Sequence, residues 1–280
     1  MSRFKDWDDL TIADDFMFCK VMQNEKLCTQ LLEILLHIKI GKLKFQEPQK
    51  NIKITNESRG IRLDVYVKDS NRIFDIEIQT TDKKNLELRT RYYQGVMDID
   101  ELEQGNKFHE LKESYIIFIC MFDPFGDNLP IYTVKQVFDE NEKHVFDDKT
   151  HKIFYNAKAF NKVSDAPDVK AFLEYLCKNQ VTTDFTASLD AAVNRNKGNQ
   201  QWRKEYMTLA YNMAVAVDEA RNEGIAIGEE RGRSEGISLG ITQGAYQKAV
   251  ETAKVLKAAN VSLNLIVDST GLSPEEIEKL

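Results

Sequence analysis

The sequence predicts an α/β fold with a mixed central β-sheet flanked by helices and an α-helical C-terminal extension. Residues 62–68 and 72–79 are rich in Val, Ile, Tyr and Phe with alternate polar positions, and turn-prone residues 69–71 join them, so they predict a β-hairpin. Residues 115–122 are almost continuously apolar, which is typical of a central strand buried on both faces. After Pro167 the pattern turns helical, which predicts the extension.

The elements that flank the hairpin follow from caps and periodicity. Asp14 or Thr11 can cap a first helix that ends near Met22, and Asn24 can cap a second helix that ends near Ile38. Leucines recur at helical spacing in the second helix, so it buries a broad apolar face. The other expected strands are residues 52–54, 131–138 and 152–156, and the other expected helices are residues 81–102, 169–178, 185–194 and 200–223.

The polar positions of the hairpin predict a cluster of oxygen ligands. Side chains alternate faces along a strand, so Asp75, Glu77 and Gln79 share one face of the second strand. Asp64 lies on the same side of the first strand, and we therefore expect it beside Glu77 and Gln79. Two carboxylates and an amide suit a magnesium-type divalent ion. An ordinary solvated sheet face would show the same spacing.

The order of these residues carries a family resemblance. Asp64, a hairpin and then Glu77-x-Gln79 resemble the Asp…Glu-x-Lys signature of the PD-(D/E)XK nuclease superfamily, in the variant with Gln at the Lys position. Neighbouring motifs narrow the resemblance to the Rpn family of recombination-promoting nucleases, also described as PD-(D/E)XK nuclease family transposases. Those motifs are Asp14-Asp15-Phe16-Met17-Phe18, Ile76-Glu77-Ile78-Gln79, Arg89-x-Arg91-Tyr92-Tyr93 and Gly105-x-x-Phe108-x-x-Leu111. The resemblance covers most of residues 5–160.

This resemblance implies a restriction-endonuclease-like core and a magnesium- or manganese-dependent DNA endonuclease, in recombination, mobile-element or defence biology. The implied catalytic residues are Asp64, Glu77 and Gln79, and the implied metal ligands are Asp64, Glu77 and the Ile78 backbone carbonyl. The implied supporting residues are Asp15, Arg91 and Tyr92. A Lys positions the attacking water and stabilises charge, whereas Gln79 carries no charge, so water activation would depend more on the metal.

Charge distribution bears on the substrate. A net charge of -7 argues against a general nucleic-acid coat protein. The segment from residue 39 to 62 is nevertheless basic, and Lys53, Arg59 and Arg62 are its candidate phosphate contacts. A solvated loop would have the same composition. DNA is the expected partner, and RNA stays open because metal-assisted hydrolysis does not select the sugar.

The cellular setting is inferred from two features. The four cysteines lie far apart without a C-x-x-C pair, which indicates reduced core thiols of a cytoplasmic protein. We identify no signal peptide and no apolar run of the roughly 18 residues that a membrane span needs.

The C-terminal region has a regular glycine repeat. Glycines recur every four residues at positions 224, 228, 232, 236, 240 and 244. Each costs about 0.5–1 kcal/mol in a helix relative to Ala, but together they form a bare stripe that lets another helix approach. The repeat predicts a self-association helix and a homo-oligomer, such as a homodimer; a flexible linker is the alternative.

We therefore expect three regions: a nuclease-like core at residues 1–165, a helical subdomain at residues 166–223, and the glycine-repeat helix with a C-terminal helical hairpin at residues 224–280. The alternative to an active nuclease is a catalytically weak nuclease fold that serves as an oligomerising binding or regulatory module.

Overall fold

The computed structural model describes residues 5–45, 51–52, 61–82, 84–102 and 105–280. The chain forms two compact units, Met1–Thr208 and Leu209–Leu280.

Strands of the first unit form one mixed sheet and two small ribbons. The described strands are β1 (Lys44–Phe45), β2 (Asn51–Ile52), β3 (Ile61–Arg62), β4 (Val65–Lys68), β5 (Arg72–Gln79), β6 (Glu113–Cys120), β7 (Ile131–Thr133), β8 (Val137–Phe138), β9 (Asn141–Val145) and β10 (Thr150–Asn156). Six of them form the main sheet in the order β1-β4-β5-β6-β10-β7, while β2 pairs with β3 and β8 pairs with β9. The expected α/β class with a mixed sheet is confirmed.

The described part of the chain contains eight α-helices. They are α1 (Asp15–Met22), α2 (Glu25–Leu36), α3 (Leu86–Glu101), α4 (Pro167–Lys178), α5 (Asp184–Lys197), α6 (Gln200–Ala258), α7 (Leu263–Thr270) and α8 (Pro274–Glu278). The Asn24 side chain accepts a hydrogen bond from the Leu27 N–H, which confirms the predicted cap of α2. Asp14 precedes α1 but accepts from Thr11 N–H at 2.8 Å instead of capping the helix.

The hairpin of β4 and β5 is antiparallel, with Val65 opposite Ile76. By contrast, β5 pairs in parallel with β6, and β6 in parallel with β10. Parallel neighbours need a long crossover, and α3 lies in the connection from β5 to β6. Because helices cover both faces of such strands, seven of the eight residues of β6 are buried, as its apolar run predicts.

Several predicted boundaries differ from the structure, among them the start of the hairpin's first strand, which is Val65 instead of residue 62, the start of α3 and the end of β7. We expected α3 to begin at residue 81 or 82, but it begins at Leu86, after Asn85 with a left-handed φ of 70°. Asparagine tolerates this conformation, so the chain can turn before the helix begins. The strand expected at residues 131–138 ends at Thr133 because the next segment pairs locally, with Phe138 opposite Asn141 across a two-residue turn.

Two further expectations concern the whole chain. No described helix combines the length and apolar character that a membrane crossing requires. Three cysteines are buried, as expected of core thiols, but Cys177 is exposed near the end of α4, where its thiol donates to the Ala157 carbonyl at 3.3 Å.

The second unit is helical. Most of α6 lies in this unit. The helix continues without a break through the glycine repeat, whereas we expected separate helices there. No other part of the described structure lies within 4 Å of a Cβ atom placed on Gly224, Gly228 or the later repeat glycines. The short helices α7 and α8 follow α6, and Ser273 with Glu276 forms a capping box at the start of α8.

Candidate active site

The carboxylates of Asp64 and Glu77 accept hydrogen bonds that connect the two strands of the hairpin. The Asp64 backbone N–H donates to Glu77 Oε1 at 2.9 Å, and the Ile78 backbone N–H donates to Asp64 Oδ2 at 3.3 Å. Asp64 comes directly before β4, so these bonds continue the hairpin one residue beyond the ladder pair of Val65 and Ile76. The structure therefore brings Asp64 and Glu77 together, as the alternation of the strands predicted.

A third acid lies next to this pair. Asp75 is fully buried on the same face of β5 as Glu77, and the two carboxyl groups interact with each other. Burial first, and then the charge of Asp64, raises the pKa of Asp75 well above its usual value. Burial, Asp75 and Asp64 raise the pKa of Glu77 in the same way. The charge of Arg89 opposes both shifts.

This face of β5 is not the solvated sheet surface that its polar residues would also have allowed. Glu77 is 2% exposed and Gln79 is 7% exposed. An apolar cluster under α3 shares the face and includes Leu86, Val96 and Phe118. Asp64 is half-buried, so it is the acid of the group that reaches the surface.

Arg89 lies in the first turn of α3 and contacts the same group. Its Nη1 donates to Gln79 Oε1 at 2.8 Å, its Nη2 donates to Tyr93 OH at 3.2 Å, and its Nη2 lies 3.9 Å from Glu77 Oε2. The Gln79 amide nitrogen donates to the Ile78 carbonyl at 3.1 Å. Gln79 thus connects the Arg89 guanidinium with the backbone carbonyl that we expect to bind metal.

The three predicted supporting residues are exposed on their helices. Asp15 is the exposed first residue of α1. Its charge, after burial and the charge of Asp14, contributes to the raised pKa of Tyr206. Arg91 and Tyr92 are exposed on α3, whereas Arg89 and Tyr93 reach the acidic group.

Among the predicted phosphate contacts, Arg62 lies in β3 and is half-buried. Lys53 and Arg59 lie outside the described residues.

The donor set is compatible with a divalent cation. Carboxylate oxygens of Asp64 and Glu77 and the Ile78 carbonyl are hard ligands of the kind magnesium accepts, with water completing the shell. The buried Asp75 carboxyl lies beside this set, and burial favours its neutral form. Within the described ranges, no three His, Cys, Asp or Glu side chains converge as a metal cage, so a cation here would depend on the backbone carbonyl and water.

Sequence reasoning singled out neither Asp75 nor Arg89 for a role. Asp75 shares a strand face with Glu77, a signal that strand alternation already provided. Arg89 was named only within the motif Arg89-x-Arg91-Tyr92-Tyr93, from which Arg91 and Tyr92 were chosen as supporting residues. Residues two positions apart lie about 200° apart around a helix, and the motif does not show which side of α3 meets the sheet.

Comparison with known protein families identifies a match over most of the chain. Residues 13–221 match the family described as PD-(D/E)XK nuclease family transposase. No curated protein and no solved structure matches the chain.

Proposed function

This chain belongs to the PD-(D/E)XK nuclease family transposases, and we propose that it is a metal-dependent endonuclease that hydrolyses phosphodiester bonds of DNA. The observation that carries the proposal is a pair of hydrogen bonds across the hairpin, from the Asp64 N–H to the Glu77 carboxylate and from the Ile78 N–H to the Asp64 carboxylate. These bonds hold the two carboxylates of the family signature on neighbouring strands. The proposed cofactor is Mg²⁺ or Mn²⁺, with Asp64, Glu77 and the Ile78 carbonyl as its protein ligands.

Hydrolysis adds one water across a P–O bond. The water oxygen bonds to phosphorus, the bond to the leaving sugar oxygen breaks, one water proton ends on that oxygen, and the other stays with the phosphate or passes to solvent. A bound divalent ion would neutralise phosphate charge and acidify water. Asp64 and Glu77 would present their carboxylates in fixed positions because backbone N–H groups hold one oxygen of each. Gln79 would orient the Ile78 carbonyl through its amide.

The proposal extends to partners and setting. Arg62, with Lys53 and Arg59, would contact DNA phosphates. Self-association through α6 would give a homo-oligomer, because the helix exposes its glycine stripe and large apolar residues such as Ile227 and Leu239. We place the protein in the cytoplasm, in recombination, mobile-element or defence biology.

Nicking of supercoiled plasmid tests the proposal. The parent chain is compared in Mg²⁺, Mn²⁺ and EDTA with Asp64→Asn and Glu77→Gln, which keep side-chain volume, and with Glu251→Gln, an exposed acid on α6. Cleavage that needs metal, falls about 100-fold or more in both site variants and persists in Glu251→Gln would support the enzyme.

Other outcomes have equally clear meanings. Equal cleavage by the parent and both site variants would reject this site. Absence of cleavage from a folded parent chain would favour the binding or regulatory module. A labelled RNA hairpin assayed in parallel identifies the substrate, and cleavage of RNA alone would reject DNA.

A further inference from the structure

The candidate site places three carboxyl groups next to a cation from α3. Three carboxyls, those of Asp64, Asp75 and Glu77, interact electrostatically, and the charge of Arg89 acts on both buried acids. An arginine side chain stays protonated at any pH at which proteins fold. The family signature places a lysine where this chain has the uncharged Gln79, so the positive charge at the site comes from another element.

Arg89 is held in a defined position. Gln79 Oε1 accepts from Nη1, and Tyr93 OH accepts from Nη2. The guanidinium carbon lies 5.5 Å from the centre of the Tyr93 ring and 5.6 Å from that of Phe118, so both rings contribute cation–π attraction. Phe118 is fully buried and cannot move aside easily. These contacts fix the plane of the guanidinium.

The same side chain keeps a route to a ligand. Its exposed fraction is 24%, compared with 3% for the Glu77 side chain. The guanidinium has five N–H donors in a fixed fork, and the contacts to Gln79 and Tyr93 use two of them. Such a fork matches the paired oxygens of a phosphate.

On the premise of the proposed nuclease function, we propose that Arg89 contacts the scissile phosphate and supplies the positive charge that Gln79 lacks. Its free N–H groups donate to the non-bridging oxygens, whose charge must be stabilised as water attacks phosphorus. Gln79 is then a positioning residue, because its amide oxygen aims Arg89 while its amide nitrogen holds the Ile78 carbonyl.

The pairing accounts for the amide at position 79. A lysine there would bring a second positive charge to the atom position that Arg89 now contacts at 2.8 Å. Like charges at that separation repel and would push the guanidinium out of its position. Gln79→Lys, although it restores the common signature, should therefore lower cleavage in the presence of Arg89. The double variant Gln79→Lys with Arg89→Met should cleave better than Gln79→Lys alone.

The main experiment compares Arg89→Gln, Arg89→Lys and a control, Arg195→Gln, which makes the same change at an exposed position near the end of α5. Plasmid nicking should fall about 100- to 1,000-fold in Arg89→Gln, as for loss of an oxyanion donor. Arg89→Lys should keep more activity, because it keeps the charge but not the fork. Arg195→Gln should match the parent.

Binding provides a readout that does not depend on metal. The affinity of a short fluorescein-labelled DNA duplex is measured in EDTA at several salt concentrations. Loss of one phosphate contact should reduce the slope of log K against log salt by about one in Arg89→Gln. A residue that only supports the fold would leave this slope unchanged, as Arg195→Gln should.

The outcomes separate this inference from the proposed function. A parent chain that binds DNA but cuts nothing rejects the nuclease, while the salt slope still decides the phosphate contact. A parent chain that cuts DNA, together with an Arg89→Gln variant that cuts within about threefold and keeps the parent slope, overturns the inference. If Arg89→Gln does not fold, Arg89→Lys and the Gln79→Lys pair decide: a double variant no better than Gln79→Lys would reject the role.

Discussion

Asp69 fixes the turn of the hairpin that carries Asp64 and Glu77. Its carboxylate accepts from the Asn71 N–H at 3.0 Å, the Arg72 N–H at 2.8 Å and Arg72 Nε at 2.9 Å, in a side chain that is 2% exposed. Asp69→Asn would turn an amide NH₂ toward the guanidinium. Since a hydrogen bond to a charged group contributes about 1.5–3 kcal/mol, we expect a loss of about 2 kcal/mol at neutral pH.

The loss should depend on pH. Burial alone raises the pKa of Asp69, but hydrogen bonds from Arg72 and Asn71 and the charge of Arg72 lower it overall. A lowered folded pKa gives stabilisation that is complete above the unfolded pKa of about 3.9 and is lost as pH falls through the folded pKa. Urea unfolding of the parent and Asp69→Asn should therefore converge below about pH 4. A difference that stays constant with pH, or a comparable loss in the exposed Asp139→Asn, would contradict this.

At this scale, sequence reasoning predicted the acids better than the cation. Alternation along a strand has a period of two, so the shared face of Asp64 and Glu77 followed from the spacing alone. A helix turns about 100° per residue, so Arg89 and Arg91 lie on opposite sides of α3, and the motif that contains both does not show which side faces the acids. The roles of Asp15, Arg91 and Tyr92 stay predictions, since their exposed positions do not test them.

Strand β6 supports the site because its Phe118 side chain packs against Arg89. Phe118 is fully buried beneath Arg89, 6.2 Å from the Tyr93 ring and 5.6 Å from the Phe154 ring. Phe118→Ala leaves a cavity, for which we expect a loss of about 3–5 kcal/mol in urea unfolding. Phe146→Ala, at a ring that is 50% exposed, should cost less than about 1 kcal/mol. Similar losses in both would contradict the packing described here.

The glycine repeat of α6 gives a second prediction at the element scale. Open space surrounds Gly228 and Gly236, so alanine fits there within the described chain. Each change should raise helix stability by about 0.5–1 kcal/mol. If the stripe packs closely against a second copy, the same methyl groups should weaken assembly. Analytical ultracentrifugation of the double Gly228→Ala, Gly236→Ala variant should show a shift toward monomer, and an unchanged distribution would reject the self-association stripe.

At the scale of the whole molecule, the sequence predicted three regions with boundaries at residues 165 and 223, whereas the chain forms two compact units with one boundary after Thr208. The boundary at 165 stays a prediction, although α4 and α5 belong to the first compact unit. Composition marks the change from sheet to helices, but contacts define a unit, and a sequence does not show which helices pack. For example, Trp7 Nε1 donates a hydrogen bond to the Lys197 carbonyl at 2.9 Å, and no local sequence pattern predicts this contact between residues so far apart in the chain.

Removal of residues 224–280 tests whether cleavage depends on the residues before this segment and self-association on the segment itself. All described site residues precede this segment, and so does the family match, which ends at residue 221. We expect the shortened chain to keep metal-dependent nicking within about threefold and to lose self-association, as measured by gel electrophoresis and ultracentrifugation. Loss of nicking by a shortened chain that still folds would assign the C-terminal segment a part in the reaction.

The residues of the site lie close together in the sequence, which affects when the site can form during translation. Asp64 bonds across 13 residues to Glu77, and Arg89 bonds across 10 residues to Gln79. Closing loops of that length carries a small entropic penalty, and contacts between nearby residues form quickly. Because the N-terminal part of a chain emerges from the ribosome first, these side chains can meet while the C-terminal helices are still untranslated.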